Sequence, residues 1–266
     1  MIGIWCFILS AAAFRPDPSI YIGTEPNRIH RFHQERQAVL RHGPAWKAWA
    51  DEGWKARFDE RTGTPQWAWG PSIELGALPN IEAVERKVRA VFEARPDVLG
   101  VPLKSLVLGR SGYVETQDAW VVHFDQVIPG TTIPVWRAGV RVRIKSGKLI
   151  GFGVDTHTDV ENISSQPSIP AIAAKRVAVQ SGPASNGSVH TEKKARLVVL
   201  PIDEGVALTP TLVWEVRSKT KQPKGHWVSF VDAHTGAFLH VYNEVRFFSG
   251  SVSAEHDVRT VNGDMA

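Results

Sequence analysis

The chain has 266 residues, 43% of them hydrophobic and 22% charged, which is ordinary globular usage and excludes wholesale disorder. Its net charge of +4 is mild, and Lys and Arg are spread along the chain, often alternating with apolar residues. That pattern reads as a solvated basic surface rather than a phosphate track, so no nucleic-acid partner is expected.

Residues 1–13, within MIGIWCFILSAAAF, are apolar almost throughout and hold the single cysteine, Cys6. The run is too short to span a bilayer, so no stable membrane span is expected. It matches the hydrophobic core of a secretory signal, with Ala11-Ala12-Ala13 as a cleavage region, although no Lys or Arg precedes it. A buried N-terminal strand is the alternative. Arg15-Pro16-Asp17-Pro18 breaks regular structure straight afterwards and favours the signal, hence a secreted or cell-envelope location. Export would leave no cysteine and no disulfide framework.

Residues 14–53 form a polar N-terminal segment in which Gln34 to Leu40 can form a short helix. Trp46 and Trp49, three apart, can share a helical face. Phe58-Asp59-Glu60-Arg61-Thr62-Gly63 reads as a strand end and turn, because Asp can hydrogen-bond the turn's backbone and Gly accepts positive φ. The same shape recurs as Val231-Asp232-Ala233-His234-Thr235-Gly236, and Lys145-Ser146-Gly147-Lys148 is a third hairpin turn. Asn80 to Ala94 is the clearest helix. Asn80 can cap it, and Ile81, Val84, Val88, Val91 and Phe92 fall on one face at the 3.6 period. Strands are predicted at Leu103 to Leu108 and Trp120 to Gln126. From Trp136 to Lys145, apolar residues alternate with Arg137, Arg141, Arg143 and Lys145, a period-two strand with one basic face. Leu149 to Val154 returns antiparallel.

Glu161 to Pro167 reads as a polar linker. Beyond it Ser168 can cap and Pro170 can open a helix continuing over Ala171 to Val179. Strands follow at Ala195 to Leu200, Leu212 to Arg217, Trp227 to Asp232 and Ala237 to Tyr242. The order helix-then-strands occurs twice. It predicts an α+β fold of two consecutive units, each a helix packed on an antiparallel β-sheet, at 54–160 and 161–246, with a tail at 247–266. Val88, Phe92, Trp136, Val140, Val142, Trp214 and Phe230 should be buried, and Arg141 and Arg143 exposed.

No His-Glu-x-x-His, Gly-x-Ser-x-Gly or phosphate-cradling Gly-x-x-x-x-Gly-Lys-Ser/Thr occurs. His30, His33 and Glu35 are close in sequence, but without a strong helix to align them they make a poor metal site. His123, His226, His234 and His240 fall on strands or turns and read as structural or surface histidines. No catalytic residue, cofactor or metal is therefore expected.

Taken in order, three blocks resemble the pro-region of secreted thermolysin-like and fungalysin-like zinc metalloproteases, a fungalysin/thermolysin propeptide module followed by a PepSY module. The first is Phe58-Asp59-x-x-Thr62-Gly63-Thr64-Pro65. The second runs from Val121 to Val135 and includes Phe124, Gln126 and Gly130, with Ile128-Pro129 where an aromatic and Asn are commoner before the Gly. The third is Leu212-Val213-Trp214-Glu215-Val216 with Trp227 to Leu239, and includes Asp232, Thr235 and Gly236. The resemblance covers roughly residues 54–246, without the catalytic domain. It implies a non-catalytic propeptide, acting as intramolecular chaperone and active-site inhibitor. Its partner would be the catalytic domain of a thermolysin-like metalloprotease, in cis or in trans. A free-standing extracellular protease inhibitor or binding module of the PepSY type is the alternative. A downstream His-Glu-x-x-His would separate the two.

Overall fold

The structure, a computed structural model, describes residues 33–183, 189–191, 194–203, 208–221 and 224–245. The apolar run with Cys6, His30 and the 247–266 tail lie outside the described residues.

Two short helices come first, α1 (Gln34–Arg41) and α2 (Pro44–Asp51). Pro44 occupies the first turn of α2, where its missing N–H leaves no hydrogen bond unmade. Trp46 and Trp49 share the buried face of α2. The Trp49 ring lies 4.5 Å from Phe152 and 5.2 Å from Trp54, centroid to centroid. Helix α3 (Ile81–Glu93) starts where Asn80 caps it, its Oδ1 accepting from the Ala83 N–H at 2.9 Å. Val84, Val88, Val91 and Phe92 enter the same core as the tryptophans.

That core is laid on the first half of a sheet. Strands β1 (Lys55–Phe58), β2 (Pro65–Glu74), β7 (Lys148–Asp155), β6 (Pro134–Lys145) and β5 (Ala119–Val127) are antiparallel neighbours in that order. The short β3 (Leu106–Leu108) and β4 (Gly112–Val114) pair with the outer edge of β5. In the second half β9 (Arg196–Asp203), β10 (Leu208–Lys221), β11 (Lys224–Asp232) and β12 (Phe238–Asn243) are antiparallel in sequence order, with β8 (Val189–Thr191) also on β10. Helix α4 (Ala171–Ser181) buries Ala174 and Ala178 against Val216 and Val231 of β10 and β11.

The expectation of two separate helix-on-sheet units is overturned. Among the described residues there is one large mixed sheet of twelve strands, strands make up 44% of those residues, and the helices are short. The cause is the length of β6. Its last pairing with β7 is Gly139 with Asp155. Its remaining N-terminal residues continue past that point, and Val135 pairs parallel with Val199 of β9. Periodicity identifies a strand but not its neighbours, and a polar linker at 161–167 implies nothing about whether the elements on either side share a sheet. Strand β2 had no sequence signal, because Pro65, Gly70 and Pro71 read as breakers. The structure accommodates them by a register shift against β7 between Trp69 and Ile73.

Of the predicted core, Val88, Phe92, Trp136, Val140, Val142 and Phe230 are buried, and Arg141 and Arg143 are exposed. Trp214 is only half-buried, its Nε1–H donating to the Ile169 carbonyl at 3.0 Å. Pro170 stands just before α4 rather than within it. Ser168 does not cap it; its hydroxyl hydrogen-bonds His234 Nδ1 at 3.0 Å.

Candidate functional site

Of the residues that carry the family resemblance, those at 58–65 and 231–238 build two copies of one hairpin. Phe58 pairs with Pro65 and Val231 with Phe238, each just after a register shift. In the first loop the Asp59 N–H donates to Thr64 O (2.9 Å) and the Gly63 N–H to Asp59 O (2.8 Å). In the second the Asp232 N–H donates to Ala237 O (2.8 Å) and the Gly236 N–H to Asp232 O (3.0 Å). Each Asp Oδ1 accepts from the backbone two residues on, Arg61 at 2.9 Å and His234 at 2.8 Å. The Thr62 and Thr235 hydroxyls accept from the N–H groups of Thr64 (3.4 Å) and Ala237 (3.2 Å). Gly63 and Gly236 have φ of 73° and 77°, which explains glycine at both positions. Burial works to raise the Asp232 pKa, but the N–H groups of Thr235 and His234 outweigh it and hold the carboxyl below its ordinary value. The loops differ in the setting of the carboxylate. Asp59 is buried with the Arg61 guanidinium, Nη2 to Oδ2 2.8 Å, whereas Asp232 is half-buried.

The other motif residues are also structural. Phe124 lies in the first core with the Arg89 guanidinium 5.1 Å from its ring centroid. Gly130 takes φ 77° in the turn between β5 and β6. Buried Trp227 donates from Nε1 to Thr220 Oγ1 at 2.8 Å. Gln126 is 1% exposed, and its amide pairs with a backbone as a neighbouring strand would. Its Nε2–H donates to His157 O (2.7 Å) while its Oε1 accepts from the His157 N–H (2.8 Å). Gln37 of α1 does the same for Phe58 of β1, at 2.8 and 3.0 Å. Gln37 carried no signal, because Gln in a polar helix is unremarkable until a bare strand edge faces it.

The concave site is elsewhere, where β6 changes neighbours. Arg137 has φ 54° and Gly139 φ 155°, and a Cβ at 139 would lie 2.0 Å from the Phe124 carbonyl oxygen. The strand therefore bends, and a cleft of about 810 Å³ opens beside the bend. Arg61, Arg137 and Arg141 line it together with Asp125, Asp155 and His157. His157 is buried, its Nε2 is 4.0 Å from Asp155 Oδ1, and its Nδ1 has no hydrogen-bond partner. Burial pulls its pKa below the ordinary value, as it does for His123, which also faces Arg141. His157 follows the end of β7 with no periodic or motif signal, and reading the sequence did not find it. The lining has no Ser, Thr, Cys or Lys. Guanidinium and carboxylate groups line it together, so it can hold polar groups of either sign.

Of the motif residues Phe124 lines this cleft, with Arg61 from inside the first motif loop beside it, and the others lie elsewhere. His33, considered with His30 and Glu35 as a metal candidate, instead hydrogen-bonds Glu60, Nδ1 to Oε2 2.6 Å, and this bond is the first cause of a lowered Glu60 pKa. Among the described residues no group of three or more His, Cys, Asp or Glu is placed to hold a metal ion, and no helix is long and apolar enough to cross a membrane.

No family model and no curated protein matches the chain. Among solved structures it is similar to the Bacillus megaterium YpeB C-terminal domain, at 18% identity and TM-score 0.34, over 67% of this chain and 71% of that one. It is also similar to the YpmB protein from Bacillus subtilis, at 16% identity and TM-score 0.21, over 52% of this chain and 87% of that one. At TM-scores this low the likeness carries no argument about this chain.

Proposed function

We propose that the chain is a non-catalytic PepSY-type binding module that attends a secreted zinc metalloprotease, in cis or in trans. It assists folding of the catalytic domain and covers the active-site cleft until removed. The observation that carries this reading is the twin Asp-x-x-Thr-Gly hairpin. The residues at 58–65 and 231–238 that resemble the pro-region build two loops with four matching hydrogen bonds each. The physical logic is mass action, since a segment that binds the native protease and not its unfolded chain favours the native state. A covalent tether would raise its effective concentration, so modest contacts suffice.

The test titrates a thermolysin-like catalytic domain with the purified chain, following hydrolysis of a small peptide, with the refolding yield of the denatured protease measured in parallel. Saturable inhibition and a higher yield are expected. Neither effect, with the cognate protease, would reject the pro-region role. Zinc-dependent hydrolysis by the chain alone would reject the non-catalytic claim.

A further inference from the structure

The first half of the sheet buries one face under α1, α2 and α3 and turns the other outward. Cations scattered in sequence meet on that outer face. Arg57 of β1 pairs with Trp67 of β2, and Lys55 with Trp69. Across the sheet Trp69 pairs with Gly151, Gly151 with Arg143, and Arg143 with Val121. Two residues away on the same strand, Arg141 stands between Gly153 and His123. Arg141, Arg143 and Lys145 are exposed at alternate positions of one strand, and Trp69 is 44% exposed beside them. Among the described residues Arg141, Arg143, Lys145 and Lys55 have no ion-pair partner.

The face is ordered as well as charged. A Cβ at Gly151 would stand 2.9 Å from the Trp67 ring and one at Gly153 3.3 Å, so the indole lies against bare backbone of β7. The Arg143 guanidinium sits 5.4 Å from the centroid of that indole. A guanidinium held over a ring loses less freedom when it grips a carboxylate.

We infer that this face docks an acidic, extended stretch of polypeptide, with carboxylates at alternate positions meeting Arg141, Arg143 and Lys145. Charge complementarity selects the partner, and spacing selects its shape. Outward residues along a strand repeat at about 6.7 Å, the period of an extended partner's own alternate side chains. Single-stranded nucleic acid is disfavoured, because base stacking needs free aromatic faces. Trp67 is already covered by backbone and Arg143, which leaves Trp69. The inference deepens the binding-module reading and relies on it only for the partner being a polypeptide.

The test uses the full chain and a fluorescently labelled peptide of alternating Glu and Thr, about 12 residues long, read by anisotropy. Oligothymidylate and a Lys–Thr peptide of the same length are run alongside. Saturable binding of the Glu–Thr peptide is expected, weakening as salt rises from about 0.05 to 0.3 M. Arg141→Glu with Arg143→Glu should weaken it by about tenfold or more, with the melting curve unchanged. Lys55→Glu with Lys145→Glu, at the margins of the face, is a second variant with the same expected direction. No binding of the Glu–Thr peptide, undiminished binding by both variants, or tighter binding of oligothymidylate would overturn the proposal. This titration and the protease titration fail separately. A chain that inhibits the protease and ignores the peptide keeps its function and loses this surface.

Discussion

The two halves of the sheet bury their strands differently. In the first, β6 alternates, with Val140, Val142 and Ile144 in the core and Arg141, Arg143 and Lys145 in water. In the second, adjacent residues of β10 are both buried and face opposite clusters. Leu212 joins Val199 and Ala233, and Val213 joins Phe230 and Tyr242. A sheet covered on one side keeps a face for a partner, whereas one covered on both spends its side chains on its own cohesion. Strand β6 does both in turn. Val135 and Trp136 are adjacent and enter opposite clusters of the second half, and past the bend at Arg137 and Gly139 the strand becomes one-sided.

The sharpest way to break this contrast is to empty the first core. Trp49→Ala removes a fully buried ring flanked by Trp46, Trp54, Phe92 and Phe152, and should cost about 3–5 kcal/mol in urea unfolding. If β6 couples the halves, Trp49→Ala melts in one transition by far-ultraviolet dichroism. Two transitions, with only the first shifted, would mean that the halves fold apart. Next in size is Gln126→Ala. It strips partners from the buried His157 N–H and carbonyl and should lower stability by about 2–3 kcal/mol.

The twin loops allow a direct test of their equivalence. Asp59→Ala and Asp232→Ala should each destabilise by about 1–2 kcal/mol and add in the double variant, since the loops share no partner. Asp59→Ala should cost more, because it also leaves the largely buried Arg61 guanidinium without its carboxylate. Equal effects would show that the Arg61 pair contributes nothing.

A smaller effect comes from pH. Burial holds His157 below its ordinary pKa of 6.5. As pH falls through 6.5, the unfolded chain takes up a proton that the native chain refuses. The unfolding free energy should therefore drop between about pH 7 and 5, with a slope of at most about 1.4 kcal/mol per pH unit for this one group, read by urea unfolding at each pH. His157→Gln should flatten part of that curve, the rest belonging to His123, whose pKa burial also lowers. Asp232, whose pKa lies below its ordinary 3.8, loses its contribution only at lower pH and does not blur the window. An unchanged profile in His157→Gln would assign the acid loss to other groups.

What the sequence showed of this molecule depended on which half was being read. Alternation along 136–145 gave both the strand and its wet face, because one-sided burial writes period two directly into the residues. The same logic over-buried Trp214, since on a two-sided strand apolar character does not say which position reaches the surface. The helix at 81–93 was legible from its cap and its stripe. Strand β2 was not, because its prolines act through a register shift that only the neighbouring strand defines. Of the site, the motif loops were visible as turns, while the cleft beside them was not. It depends on β6 bending at Arg137 and Gly139, and on His157 being closed in by a Gln thirty-one positions earlier.

The sharing of β6 also bears on where the chain can be divided. Val135 and Trp136 precede the 161–167 segment, yet their side chains complete clusters made by β9, β10, β11 and β12. A nick within 161–167 should accordingly yield two pieces that stay together in solution, each supplying wall to the other. Expressed apart, the pieces should behave as complementing fragments, with the C-terminal one left open at the place where a tryptophan from its partner belongs.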